Sequence, residues 1–261
     1  MSSPVLQTKG LTIRFGGHAA VDDVSCAFHA GSLTAIVGPN GAGKTTYFNL
    51  MSGQLPATSG SVHLDGEDVT RLSTAERAKR GIGRAFQITN LFPNLTVAEN
   101  VRLAVQAKAR AAASLWSRWD RHAEWINRAE HFLEEVNLQD KRNLAAAALP
   151  HGDKRKLEVA LMMALEPHVY MFDEPTAGMS VDEVPVVLDL VKRLKAAGDK
   201  TILLVEHKMD VVRSLADRIV VLHNGQLVAD GDPETVIASP IVQEAYLGSM
   251  PEADSKGEAV S

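Results

Sequence analysis

The segment GPNGAGKTT at 38–46 sets three glycines, a lysine and two threonines between the apolar run LTAIV and the helical-looking TTYFNLMSG. Gly38, Gly41 and Gly43 let backbone N–H groups turn inward around phosphate oxygens, at a helix N-terminus whose partial charge favours anions. Lys44 would reach the β- and γ-phosphates, and the Thr45 hydroxyl would hold Mg2+. Pro39, Asn40, Ala42 and Thr46 complete the loop. A second element, VYMFDEP at 169–175, ends an apolar strand in two acids. Asp173 would complete the Mg2+ shell, and Glu174 is placed to orient or deprotonate an attacking water. A third strand, TILLV, is followed by Glu206 and His207. A strand ending in two acids is usually a solvated loop, and a lone histidine is more often structural than catalytic. His207 differs because its strand should open on the same sheet edge as Lys44 and Asp173, where it would donate a hydrogen bond to the γ-phosphate.

The elements around these residues read as an α/β protein. LTIRF at 11–15, VDDVSCAF at 21–28 and LTAIV at 33–37 are short β-rich runs, and SVHLDGEDV at 61–69 adds a strand and a turn at Asp65-Gly66. TTYFNLMSG reads as a helix closed by Gly53. From about 88 to 165 the pattern is helical: a capping box at Thr96 and Glu99, a second helix over about 120–137, and a third over about 153–165 starting with Asp153. Strand–helix alternation then resumes, with strands at 169–172, 201–205 and 218–222 and helices near 182–197 and 209–216. Such apolar strands between helices indicate a parallel sheet covered on both faces. Asn224-Gly225 signals a hairpin. The polar tail 249–261 is expected to be disordered.

Composition excludes several classes. The 261 residues carry 27 Lys plus Arg against 32 Asp plus Glu, a net charge of −5, which argues against a protein that coats nucleic acid. The basic cluster Lys154-Arg155-Lys156 reads as a solvated helix face. One cysteine, Cys26, rules out an internal disulfide framework and fits a reducing compartment. No run reaches the roughly 18 to 20 apolar residues of a membrane span, and MSSPVLQTKG lacks the basic region and apolar core of a secretory signal.

Together these motifs resemble the nucleotide-binding subunit of an ATP-binding cassette (ABC) transporter, over roughly residues 4–248. The resemblance implies an α/β P-loop NTPase core with a parallel sheet, an N-terminal antiparallel β-subdomain, and a helical subdomain inserted at about 88–165 of a domain spanning 1–248. The glycine loop is similar to Walker A, VYMFDE to Walker B with its catalytic glutamate, and His207 to the switch histidine. Gln87 in GRAFQ matches the glutamine that links the Mg2+ and water site to the membrane subunit. Phe15 matches the aromatic that stacks on adenine; a core aromatic at a strand end is the competing reading. ITNLFPNLTV at 88–97 would form a groove for a coupling helix of the permease. LPHGD, Leu149 to Asp153, occupies the place of the signature that closes over ATP held by the opposite subunit. It departs from the family pattern: Pro150 lacks a hydroxyl and an N–H, and His151 stands for a glycine, leaving Gly152. The site closed by this signature is therefore expected to be the weaker one, and Ser180, where many members have aspartate, loosens communication between sites.

The stretches RGIGRAFQITNLFPNLTVAENV, LPHGDKRKLEVA, DEPTAGM and EHKMDVVRSLADRIVVLHNGQLVADGDPETV resemble most closely the first ATPase of branched-chain amino acid importers. That likeness implies an ATP- and Mg2+-dependent subunit at the cytoplasmic face of the inner membrane. Its partners would be a second ATPase in a heterodimer or homodimer, two permease subunits and, indirectly, an extracytoplasmic solute-binding protein, with no nucleic acid. Another cargo (urea or lipopolysaccharide-type export), a soluble ABC ATPase outside transport, and a regulatory subunit that binds ATP without hydrolysing it remain as alternatives.

Overall fold

The computed structural model describes residues 3–85, 91–109 and 123–247. Its centre is a six-stranded sheet ordered β10-β9-β3-β8-β7-β6, comprising β3 (Leu33–Val37), β6 (Ile82–Ala85), β7 (Val169–Asp173), β8 (Thr201–Val205), β9 (Arg218–His223) and β10 (Gln226–Gly231). β9, β3, β8, β7 and β6 pair in parallel, and β10 returns antiparallel beside β9. Every residue of β3, β7 and β8 is buried, as the expectation of a doubly covered parallel sheet requires. The β9–β10 turn places Asn224 and Gly225 at φ 48° and 77°, the left-handed pair that its Asn-Gly sequence favours.

A second, antiparallel sheet orders β2-β1-β4-β5, from β1 (Leu6–Phe15), β2 (His18–Phe28), β4 (Ser59–Leu64) and β5 (Glu67–Asp68). Between the two sheets lies α1 (Lys44–Ser52). One core joins Leu6, Val24 and Phe28 of the antiparallel sheet with Tyr47, Phe48 and Met51 of α1 and with Ile36, Met171, Leu203 and Val220. Neighbouring residues in those strands, Tyr170, Phe172, Ile202 and Leu204, face the other way and pack against the helical part. This alternation is the pleat of the sheet, and it decides which side chains meet α1.

The chain leaves the sheet after β6 and returns at β7, two adjacent strands, so α3 (Val97–Lys108), α4 (Ala123–Glu135) and α5 (His151–Ala164) form an excursion. The capping box at Thr96 is present: its hydroxyl accepts from Glu99 N at 3.1 Å, and the Glu99 carboxylate accepts from Thr96 N at 2.8 Å. A second one at Ser73 and Glu76 opens α2 (Thr74–Lys79), a helix absent from the sequence reading. Two expectations need correction. α5 starts at His151, two residues before Asp153, because Pro150 fixes the backbone of the N-cap position and the first turn then forms at once. Lys156 is not on a solvated face; it is buried, 3.1 Å from Asp153 and 3.6 Å from Glu183. α6 (Val184–Ala196) and α7 (Met209–Leu215) follow the expected order, and α8 (Pro233–Ile237) and α9 (Pro240–Leu247) close the chain near β10. Gln87, the first residues of the expected groove segment and the tail from 249 lie outside the described residues.

Candidate nucleotide site

Strand register brings the candidate residues to one edge. Ile36 of β3 lies level with Val205 of β8, and Val205 lies level with Asp173 of β7. The residues that follow, the glycine loop, Glu206-His207 and Glu174, therefore emerge together at the C-terminal rim, where ligands of open α/β sheets bind. Glu174 N donates to Val205 O at 3.0 Å, which ties two of the three exits directly.

The loop itself is built around missing side chains. A Cβ on Gly38 would meet Leu222 O at 2.1 Å, and one on Gly43, which stands at φ 96° as N-cap of α1, would meet Ala20 O at 2.4 Å. Lys44 is 6% exposed, and its ammonium donates to Gly38 O and Pro39 O, both at 2.8 Å. Burial pushes its pKa down, while the nearby charges of Glu174 and Asp173 push it up. Among the described residues no carboxylate comes within ion-pair distance of it. A buried cation held by neutral carbonyls at the head of a helix is a site for an incoming anion.

Across the rim, Glu174 adopts φ 50°, a left-handed conformation uncommon for glutamate, and its Oε1 lies 2.7 Å from His207 Nε2. His207 thus opens on the same sheet edge as Lys44 and Asp173, as its strand end suggests, and it also contacts Glu174. Asp173 is buried; its Oδ2 accepts from Arg84 Nη2 at 2.9 Å. Burial pushes the Asp173 carboxyl up, and Arg84 draws it back towards the charged form. Thr45 sits beside Lys44 in the first turn of α1. The hydroxyl and carboxylate oxygens of Thr45 and Asp173 are hard donors of the kind Mg2+ takes, so these residues fit that ion. Phe15 ends β1 with 53% exposure, which removes the reading as a core aromatic.

Two residues beside the site have contacts to which the sequence assigns no role. Glu206 is buried and accepts from Thr176 Oγ1 at 2.6 Å and from His207 N at 2.8 Å, so it fixes the backbone that carries the histidine. Arg84 is the other; it reads in sequence as one polar residue of IGRA. The signature segment is placed separately, on α5. Leu149, Gly152 and Asp153 are buried and His151 is exposed. A Cβ on Gly152 would meet the Glu183 carboxylate at 2.2 Å. Burial raises the Asp153 carboxyl, but hydrogen bonds from Lys141 and Lys156 outweigh it and hold the group below the usual range.

Fold and site thus define a P-loop nucleotide triphosphatase. The family profile described as "ABC transporter" matches residues 21–177, and one described as "Branched-chain amino acid ATP-binding cassette transporter" matches residues 226–250. The chain belongs to the ABC transporter family. It is 39% identical over 255 residues to the high-affinity branched-chain amino acid transport ATP-binding protein BraF of Pseudomonas aeruginosa, covering 95% of this chain and 99% of that protein. It is 37% identical over 253 residues to LivG of Escherichia coli, described in the same words, with the same coverage. Among solved structures, an ATP-binding cassette of an ABC transporter in its ADP conformation superposes with a TM-score of 0.79 at 30% identity, covering 95% of this chain and all of that one.

Proposed function

We propose that this chain is the ATP-hydrolysing subunit of an ABC importer for branched-chain amino acids. The observation that carries the site is the buried Lys44 ammonium, poised for an anion opposite Asp173, Glu174 and His207. The C-terminal family match and the relatives' descriptions supply the cargo class.

The triphosphate lies on backbone N–H groups of the 38–46 loop, among which Pro39 has none to give, and on Lys44, and Phe15 stacks on the adenine. Thr45, Asp173 and, by the family resemblance, Gln87 would hold Mg2+, which when bound would neutralise phosphate charge. Glu174 accepts the proton of the attacking water, and His207 donates to the γ-phosphate as charge develops there. Residues 149–153 close over the ATP of a second ATPase subunit, in a heterodimer. The pair drives two permease subunits from the cytoplasmic face of the membrane, with an extracytoplasmic binding protein delivering the amino acid. Among the described residues no helix is long and apolar enough to cross a membrane.

Uptake of labelled leucine, with urea as a parallel cargo, tests this in cells lacking the chain. Leucine uptake should vanish and return with wild type but not with Glu174→Gln. Normal leucine uptake without the chain would overturn the cargo, and loss of urea uptake alone would replace it.

A further inference from the structure

Arg84 stands inside GRAFQ without a role of its own in the motifs above, yet it touches both halves of the nucleotide site. It stands on β6 level with Met171 of β7, so the pleat turns it to the α1 side of the sheet together with Asp173. There its side chain is 7% exposed. Nη2 donates to Asp173 Oδ2 at 2.9 Å, while Nη1 donates to Asn49 Oδ1 at 2.7 Å, Ser52 Oγ at 2.8 Å and Gln54 Oε1 at 3.1 Å. The guanidinium also lies over the Phe48 ring, 5.6 Å from its centroid. Asn49, Ser52 and Phe48 all sit on α1, the helix whose first turn carries Lys44 and Thr45.

We infer that Arg84 is a positioning residue that fastens the Asp173 carboxylate to α1, so that Asp173 and Thr45 keep one fixed spacing. The inference rests on the proposed roles of those two residues as holders of Mg2+. A planar fork with several donors spans both sides at once, which a single ammonium cannot do. The location also suits a cation. α1 has no basic residue in its last turn, and a positive charge at a helix C-terminus is favourable.

A simpler role, neutralising a buried carboxylate, predicts the opposite sign. A guanidinium beside a cation site repels the cation, so its removal by charge alone tightens Mg2+, whereas loss of orientation loosens it. The experiment measures affinity for a non-hydrolysable ATP analogue by calorimetry, in excess Mg2+ and in EDTA, for the full wild-type chain, Arg84→Lys and Arg84→Met. We expect both variants to lose about tenfold of the Mg2+-dependent tightening, the lower end of what outer-shell changes cost, with EDTA affinity within about twofold of wild type. Arg84→Lys retains the charge and carries the test if Arg84→Met does not fold. Wild-type behaviour in Arg84→Lys, tighter Mg2+-dependent binding in Arg84→Met, or equal losses with and without Mg2+ would each overturn the assignment. A wild-type chain whose affinity ignores Mg2+ would instead remove the metal role of Thr45 and Asp173, and that of Arg84 with it.

Discussion

At the scale of single residues, the proposed roles separate binding from turnover. In that proposal Lys44 contributes a charge-assisted contact to the phosphates, worth about 1.5–3 kcal/mol, or roughly 10- to 150-fold in affinity. The role proposed for Glu174 is on the water, and a positioned general base contributes about 10²- to 10⁴-fold in rate. Lys44→Ala should therefore weaken nucleotide binding by at least about tenfold. Glu174→Gln should bind ATP as wild type does and lose turnover by at least about a hundredfold. Equilibrium binding and single-turnover hydrolysis measured on both variants check the split; fast turnover by Glu174→Gln would remove the base assignment. Glu174 carries its left-handed backbone at this turn, and from it the carboxylate lies 2.7 Å from His207 Nε2 at the neighbouring strand's exit.

At the scale of elements, α5 stands on a buried acid. Asp153 lies in its first turn, where a carboxylate suits the helix dipole, and Lys141 and Lys156 pair with it. Its folded pKa is held below the ordinary value of 3.8, so its contribution is complete above that value and is lost as pH falls through the folded one. Asp153→Asn should lower stability at pH 7 by about 2 kcal/mol and flatten the acid limb of the unfolding profile below about pH 4. Thermal unfolding followed across pH measures both. The strands and most helices around this element were legible in sequence, because LTAIV, TILLV and the Thr96–Glu99 box carry their signals locally. The same box at Ser73–Glu76 carries an equally local signal. β6 was not legible: IGRA is four residues with one charge, and only pairing with β7 makes it a strand. Arg84 was hidden for the same reason, since Asp173 is brought close to it by sheet register rather than by spacing in the chain.

At the scale of the whole molecule, the glycine loop and the signature occupy different elements of one chain. The loop joins β3 to α1 at the rim of the parallel sheet, and the signature heads α5 in the excursion between β6 and β7. Among the described residues no hydrogen bond or ion pair joins 149–153 to 38–46. Val181, in the loop after Glu174, is 87% exposed, an apolar side chain that a partner subunit would cover. In the proposed assembly the signature closes on a second chain's ATP. In a homodimer both closures would then pass through Pro150, which has no N–H to offer a phosphate and serves as N-cap of α5 without a side-chain bond. A heterodimer confines that weakness to one of its two sites. Glu174→Gln with ATP and Mg2+ should therefore stay monomeric alone in sedimentation, and form a mixed dimer when the transporter's second ATPase is added. A self-dimer of comparable strength would show that Pro150 does not weaken closure, and would make the working assembly two copies of this chain.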